Sequence, residues 1–334
     1  MKERGFFVGL IIGVACAVGA CLEIAIDIGV PRWPALPSLL EYYVAEYRGI
    51  GVDYDVALHG MFGTGDRLRN ADLILTSSSK GLFGYRVPII HDELATQGYD
   101  VNIFNLAFGH GEGLGVVAKI IERQSIAHSM LVIDLNESSG NYQFSPSARG
   151  ALEADWLSAY RLVLSTWARY LWDWFIGPLI PRWSWNAGHG HFEPRFLGAQ
   201  YRAWNTNDLL RDDRSGLYPC ATGTPRSWSF DGDGMIRGYV LGPASARDIL
   251  VIATAIPYRG APWDAPIYDP SWAARSAQEA SLPFAPIAYV GLLTLDGGHL
   301  DLRSAEEFSR RFAVSLRKSV PRFGEWLRAN QAAR

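Results

Sequence analysis

Cysteine is scarce in this chain. Of three cysteines in 334 residues, Cys16 and Cys21 lie in an apolar N-terminal segment, which leaves Cys220 alone in the rest of the sequence. An intramolecular disulfide is therefore excluded for the body of the protein, and the paired cysteine spacing of zinc sites does not occur. The body must be stabilised by its hydrophobic core, for which a chain of this length provides ample material.

Charge is also limited, and neither sign dominates. Charged residues make up 19% of the chain, and the net charge is −3. No basic run is interleaved with aromatic residues, so we expect no nucleic-acid partner. His189 and His191 lie two positions apart, but no carboxylate or cysteine spacing accompanies them. We therefore predict neither a metal site nor a cofactor.

One uncharged stretch is long enough for a membrane, at residues 5–22. As a helix it would cover roughly 27 Å, close to the thickness of the hydrocarbon layer. Its basic N-terminal flank predicts a cytoplasmic start and an exported body. Residues 1–30 are therefore a retained transmembrane anchor or a signal segment, and residues 18–21 resemble a lipobox in which Cys21 would be acylated. Both alternatives place the body on the extracytoplasmic (periplasmic) side of the membrane.

Strand-like and helix-like segments alternate from residue 71 to residue 330, after a proline-bearing tether and lead-in at 31–70. Near-continuous apolar runs, typical of strands buried on both faces, predict strands at 72–76, 101–106, 129–135, 248–255 and 287–294. Apolar stripes and capping patterns predict helices at 87–97, 113–123 and 271–281, and a last helix from Ser304, where Ser304 and Glu307 match a capping box. The alternation predicts a three-layer α/β/α sandwich with a parallel, flavodoxin-like sheet and a site at the carboxyl ends of its strands.

An insertion at 140–247 interrupts this alternation. Its 156–185 part is rich in tryptophan, and charged residues interrupt it too often for a membrane-spanning helix. Two interpretations stay open for this part: an amphipathic helix against the membrane or a membrane partner, and a helical insertion packed on the body. Residues 186–247 are typical of a loop-rich lid over a substrate.

Polar residues of types that can take part in catalysis follow the first and last predicted strands. Ser77, Ser78 and Ser79 come after the first strand, and Asp296 and His299 lie three positions apart after the last. A serine hydroxyl becomes a good nucleophile when an imidazole takes its proton and a carboxylate orients the imidazole. The pattern therefore suggests acyl-transfer or ester chemistry. The alternative is that the serines only cap the next helix.

Residues 74–79 (Ile-Leu-Thr-Ser-Ser-Ser), residues 105–109 (Asn-Leu-Ala-Phe-Gly) and the Asp-x-x-His motif resemble the SGNH (GDSL-like) hydrolase superfamily. The nearest resemblance is to membrane-anchored SGNH-like proteins of cell-envelope polysaccharide O-acetylation, and it covers about residues 70–318. It implies that Ser78 is the nucleophile, His299 the general base and Asp296 the carboxylate that orients it.

The same resemblance implies an oxyanion site and a function. Gly109 and Asn136 would donate hydrogen bonds to the oxyanion, each stabilising the transition state by about 3–4 kcal/mol. The protein would be an exported acyltransferase or esterase that acts on the acyl groups, in the first place acetyl groups, of a cell-envelope glycan. A membrane acyl-donor protein, or another membrane complex, would be its partner through residues 156–185.

Two alternatives to this function stay open. Thr76 stands where the family has glycine. Together with the tryptophan-rich insertion, this residue supports a non-catalytic SGNH-like subunit that scaffolds a membrane complex. The other alternative is a plain lipase or esterase that needs no glycan.

Overall fold

The structure, a computed structural model, describes residues 50–108, 114–135, 146–163, 182–186, 191–195, 217–223, 240–260 and 266–333. The apolar segment 5–22, the middle of the tryptophan-rich segment, Gly109 and Asn136 lie outside the described residues. Across the described ranges, no helix combines the length and the apolar character needed to cross a bilayer.

The described elements follow one another in the order that the alternating sequence pattern indicates. The helices are α1 (Ile50–His59), α2 (Thr64–Arg69), α3 (Ser79–Gly84), α4 (Val87–Thr96), α5 (Leu114–Arg123), α6 (Pro146–Glu153), α7 (Gly242–Ser245), α8 (Pro270–Glu279), α9 (Leu302–Ser319) and α10 (Phe323–Ala333). The strands are β1 (Leu73–Thr76), β2 (Ile103–Asn105), β3 (Met130–Asp134), β4 (Arg182–Asn186), β5 (His191–Arg195), β6 (Tyr218–Pro219), β7 (Leu250–Thr254), β8 (Phe284–Ala285) and β9 (Leu293–Thr294).

Five of these strands form one parallel sheet in the order β2-β1-β3-β7-β8. Numbered along the chain, these strands have the order 2-1-3-4-5, which occurs in doubly wound sheets that bind ligands where the order reverses. That point lies at the carboxyl ends of β1 and β3. The prediction of an α/β domain with a parallel sheet is confirmed.

Helices cover both faces of the sheet. Ile74 of β1 packs in a core cluster with residues of α1, α5 and α8. Leu73 and Leu75, whose side chains point the other way, pack in a second cluster with residues of α4, α9 and α10. Every residue of β1 and β3 is buried. Burial on both faces explains why these strands are continuous apolar runs in the sequence.

The end of the predicted tether, residues 31–70, is corrected, because its last part is helical. Residues 50–69 form α1 and α2 with a short 3₁₀ turn between them. Tyr54, Ala57 and Leu58 of α1 are buried in the core, and the Tyr54 ring centroid lies 4.7 Å from that of Phe108. The α/β domain therefore includes residues 50–70, which precede its predicted start.

The last predicted strand, 287–294, is also corrected. The fifth strand of the sheet is β8, and prolines at 283 and 286 flank it, so that it does not form a long apolar run. The chain then turns at Gly291, where φ is +84°. It continues into β9, which pairs antiparallel with β6 outside the main sheet.

The start of the last helix differs from the predicted capping box. Asp301 is the N-cap of α9, and its carboxylate accepts a hydrogen bond from the Ser304 N–H at 3.1 Å. The Ser304 hydroxyl instead accepts the Leu293 N–H at 2.8 Å, which attaches β9 to the first turn of α9.

Candidate active site

Three consecutive serines connect β1 to α3, and each hydroxyl has a different partner. The Ser77 Oγ donates a hydrogen bond to Asp134 Oδ2 at 2.6 Å. Ser78 is the N-cap of α3, and its Oγ accepts the Lys80 N–H at 3.4 Å. Ser79 is the first residue of the helix, and its half-buried Oγ lies 2.8 Å from Nε2 of His299.

His299 lies in a tight turn between β9 and α9. The Leu295 N–H donates to the His299 carbonyl oxygen at 2.8 Å, and Thr294 bridges to Leu300 across the base of the turn. Gly297 has a φ of +88°, which glycine adopts without the steric cost that a Cβ would bring. The turn thus places residues 296 and 299 side by side.

Asp296 contacts the turn through both carboxylate oxygens. Its Oδ1 accepts the N–H groups of Gly298 and His299, both at 2.8 Å. Its Oδ2 lies 2.7 Å from Nδ1 of His299. The carboxylate therefore fixes the backbone of the turn and the orientation of the imidazole together.

Main-chain hydrogen bonds attach this turn to the sheet. The carbonyl oxygen of Gly297 accepts the N–H of Arg259 at 2.9 Å and that of Gly260 at 3.0 Å. These two residues belong to the segment that leaves the carboxyl end of β7. On the other side, the Thr294 Oγ1 donates to the Tyr218 carbonyl oxygen at 3.0 Å. The position of the imidazole is therefore linked to the edge of the sheet at which β1 ends.

The protonation state of the Asp296 carboxylate follows from its environment. Burial raises the pKa of Asp296, but hydrogen bonds from the His299 side chain and from the two turn N–H groups outweigh it, and the pKa falls to about 2. The carboxylate is thus ionised at neutral pH and can only accept hydrogen bonds. Nδ1 of His299 therefore donates to this carboxylate, and Nε2 is the ring nitrogen that faces the Ser79 hydroxyl.

The three side chains are reachable from solvent. The His299 side chain is 20% exposed and that of Asp296 is 45% exposed. Ser79 is half-buried beside them. None of the three side chains is therefore fully buried. Among the described residues, no group of three or more His, Cys, Asp or Glu side chains is arranged to hold a metal ion.

The serine that faces the imidazole is one position beyond Ser78, the predicted nucleophile. The structure brings together His299, Asp296 and the serine turn, as predicted, but it is Ser79 and not Ser78 whose hydroxyl faces the imidazole. The physical reason is that an N-cap side chain folds back to the N–H groups of its own helix. The Ser78 hydroxyl is therefore directed toward the Lys80 N–H, whereas the Ser79 hydroxyl is directed toward His299.

The predicted oxyanion donors, Gly109 and Asn136, lie outside the described residues, and their function stays a prediction. The residues that precede them are described. The Phe108 N–H donates to the Ser77 carbonyl oxygen at 3.0 Å, and the Leu135 N–H donates to the Thr254 carbonyl oxygen at 2.7 Å. Both described segments therefore lead to the edge of the sheet that carries Ser79.

Asp134 is a site residue that the motifs do not single out. It is the last residue of β3 and only 2% exposed, and its carboxylate binds the serine turn through Ser77. The sequence does carry a signal. A carboxylate that ends a fully apolar strand next to the ligand-binding edge of a parallel sheet needs hydrogen-bond donors, and hydroxyls from the neighbouring strand end can supply them.

The fold and this geometry define a class of protein: an α/β domain with a parallel sheet and a Ser–His–Asp arrangement near its carboxyl edge. Comparison of the chain with protein-family models, with curated proteins and with solved structures gave no match. Its function must be argued from the site itself.

Proposed function

We propose that this protein is an SGNH-like enzyme of acyl transfer, with Ser79 as nucleophile, His299 as general base and Asp296 as the orienting carboxylate. One observation carries the proposal. Two short contacts in series, 2.8 Å from Ser79 Oγ to Nε2 and 2.7 Å from Nδ1 to Asp296 Oδ2, connect a hydroxyl to a carboxylate through one imidazole. This is the connectivity that nucleophilic serine catalysis requires.

The chemistry proceeds in two half-reactions. In the first, the Ser79 oxygen attacks the acyl carbon while its proton moves to Nε2 of His299, and Asp296 stabilises the imidazolium. Nε2 then gives the proton to the leaving oxygen, and an acyl ester remains on Ser79. In the second, an acceptor hydroxyl loses its proton to Nε2 and attacks this ester, and the proton returns to Ser79. A sugar acceptor makes the enzyme a transferase, and water makes it an esterase.

The substrate class that we propose is an O-acyl group, in the first place acetyl, of a cell-envelope glycan such as an exopolysaccharide. The resemblance of the serine and Asp-x-x-His motifs to membrane-anchored O-acetylation proteins supports this choice. The uncharged segment at 5–22 supports a body held at the extracytoplasmic side of the membrane.

A membrane acyl-donor partner would contact the start of the tryptophan-rich segment. Residues 156–163 are helical, and Trp156, Leu157 and Leu162 on this helix are 54%, 49% and 46% exposed. Large apolar side chains exposed on one short helix offer apolar contact area to a protein or a membrane. This observation supports residues 156–185 as the place of contact.

Thr76, one of the two features that favoured a non-catalytic subunit, carries less weight in the folded chain. Thr76 is buried in β1, and its Oγ1 donates to the Val132 carbonyl oxygen at 2.8 Å. It precedes the proposed nucleophile by three positions instead of two, and its hydroxyl is bonded to β3. The residue therefore does not restrict the turn that carries the Ser79 hydroxyl.

A fluorophosphonate probe tests the proposed nucleophile directly. The full-length protein, purified with its membrane segment, is incubated with the probe, and mass spectrometry of the peptides identifies the labelled atom. We expect the label on Ser79, no label in Ser79→Ala or His299→Ala, and label retained in Ser78→Ala. A folded protein that takes no label, or takes it on Ser78, contradicts the proposed mechanism.

A second assay tests the acceptor. With p-nitrophenyl acetate as donor, release of p-nitrophenol reports acylation, and addition of a cell-envelope oligosaccharide tests transfer. We expect the acetylated oligosaccharide to accumulate. Rapid p-nitrophenol release that the oligosaccharide does not accelerate, with no acetylated oligosaccharide formed, would instead support a plain esterase.

A further inference from the structure

Asp134 has no part in the proton transfers described above, yet its carboxylate is held closely behind the nucleophile. It lies at the carboxyl end of β3 and is 2% exposed. Its Oδ2 accepts the Ser77 hydroxyl at 2.6 Å, and its Oδ1 accepts the Ile256 N–H at 3.0 Å. A buried carboxylate with partners of this kind is costly to disturb, because a lost partner leaves a desolvated acceptor.

Ser77 connects this carboxylate to the helix that carries the nucleophile. While its Oγ donates to Asp134, the same oxygen accepts the Gly81 N–H at 3.1 Å. Its carbonyl oxygen accepts the N–H of Phe108, in the segment after β2. One serine therefore joins β1, β3 and the first turn of α3.

The packing at Gly81 makes this connection tight. A Cβ built on Gly81 would lie 2.2 Å from the Cβ of Ser77 and 2.8 Å from its Oγ. The first turn of α3 thus rests directly on Ser77, with no room for a methyl group between them. Ser79 belongs to that same turn, so a shift of Ser77 moves the Ser79 hydroxyl relative to His299.

We propose that Asp134 is a positioning residue for the nucleophile: through Ser77 it holds the first turn of α3 so that the Ser79 hydroxyl meets the imidazole. The inference rests on the proposed function and adds a residue to it. No step of the proposed reaction passes through Asp134. It acts by fixing which way the Ser77 hydroxyl points, since Asp134 Oδ2 accepts that hydroxyl while the Gly81 N–H donates to the Ser77 Oγ.

Asp134→Asn removes this directional control while it keeps the shape of the side chain. The amide has one oxygen for two donors, the Ile256 N–H and the Ser77 hydroxyl. Its nitrogen would face one of them as a second donor. We expect a displacement of the turn that slows acylation by about 10- to 100-fold, since misplacement on the order of 1 Å has that effect on reacting groups.

Asp72 provides a matched control for this substitution. It is also buried, at 1% exposed, and it precedes β1 at the opposite end of the sheet. Its Oδ2 accepts the Asn102 N–H at 2.8 Å and the Gln331 amide at 3.1 Å. Asp72→Asn makes the same chemical change at the same depth, but at the edge away from the serine turn.

The experiment measures the second-order rate of fluorophosphonate labelling, with kcat and KM for p-nitrophenyl acetate across pH, in the full-length protein. We expect Asp134→Asn and Ser77→Ala each to lower the labelling rate and kcat by about 10- to 100-fold, with KM and the pH midpoint of kcat/KM unchanged. The double variant should be no slower than the slower single variant, because both changes break one connection. Asp72→Asn should label within about twofold of the wild type, even where its thermal stability falls.

Three results would overturn the inference: wild-type labelling in Asp134→Asn, equal slowing in Asp72→Asn, or losses that multiply in the double variant. Ser79→Ala in the same assay separates this failure from that of the proposed function. If Ser79→Ala still labels, the proposed nucleophile is wrong. If it does not label and Asp134→Asn labels normally, only the positioning role is wrong. Should Asp134→Asn not fold, Ser77→Ala measured against Asp72→Asn decides the question alone.

Discussion

Ser78 and Ser79 are neighbours in the chain, but their hydroxyls have unrelated partners. The Ser78 oxygen accepts an N–H of its own helix, and the Ser79 oxygen faces the imidazole of His299. Successive residues at a helix start project about 100° apart, so one position separates a capping side chain from one directed at a neighbouring loop. Substitutions at the two positions should therefore change different measured quantities.

Ser79→Ala should lower kcat/KM for an acyl ester by at least about 10³-fold and leave thermal stability nearly unchanged, because it removes the nucleophile from a half-buried position. Ser78→Ala should do the reverse. It removes an N-cap and should lower the free energy of unfolding by about 0.5–1 kcal/mol, with activity within a few-fold of the wild type. Steady-state kinetics and denaturant unfolding of both variants check this pair, and a larger kinetic effect at Ser78 would contradict it.

Asp296→Asn should lower kcat by about 10³- to 10⁴-fold with little effect on KM. The carboxamide can donate to Nδ1, which favours the tautomer with the proton on Nε2 and leaves no lone pair toward Ser79. Asp301→Asn is the control, because asparagine is an equally good N-cap for α9 and should preserve activity. Equal losses in both variants would point to general damage to the loop instead of the tautomer.

Gly297→Ala should lower both stability and turnover. Gly297 has φ of +88°, where an L-residue costs about 1 kcal/mol or more, and the strained turn carries the aspartate and histidine. Gly298→Ala is the matched control, because a Cβ there would meet only the Asp296 Oδ1, at an ordinary 3.5 Å. Both the thermal unfolding temperature and kcat should be lower in Gly297→Ala than in Gly298→Ala. A harmless Gly297→Ala would mean that the turn tolerates another conformation.

Asp55 predicts a pH dependence of stability that is unrelated to catalysis. It is buried in α1, and burial raises its pKa to about 6. The folded state therefore holds the proton more tightly than the unfolded state, so the free energy of unfolding should fall as pH rises from about 4 to about 6. Asp55→Asn should remove this decline. Compared with the wild type, the variant should therefore be more stable at pH 7.5 than it is at pH 4.5. Urea unfolding of both proteins at the two pH values measures it.

The sheet could be predicted from the sequence because its central strands are buried on both faces. β1, β3 and β7 are continuous apolar runs, and each lies within the range predicted for it. β8 could not be found in this way. It has only two residues and prolines on both sides, and its partner strand β7 supplies the context that makes it a strand. The helix α1 was missed for a related reason, since its burial depends on neighbours that are distant in sequence.

The sequence was enough to predict that two segments meet at the candidate site, but not which serine faces the histidine. The order of residues indicates that a serine turn and an Asp-x-x-His turn follow strands of one sheet, and their convergence is a consequence of parallel topology. Which of three adjacent serines faces the histidine depends on where α3 begins, and helix starts are set by local hydrogen bonds that the sequence specifies only within one or two residues. Asp134 was missed because the role that we propose for it depends on a contact with a neighbouring strand end.

The histidine-bearing turn is anchored mainly through backbone atoms: the Gly297 carbonyl binds two main-chain N–H groups, and the Leu295 N–H closes the turn. The Arg259 side chain can therefore vary without displacing the imidazole, as long as positions 260 and 297 keep the glycines that their positive φ angles favour. The acid–base half of the site should be robust to mutational drift around it. A designer who wishes to alter the surroundings of the site can vary position 259 first.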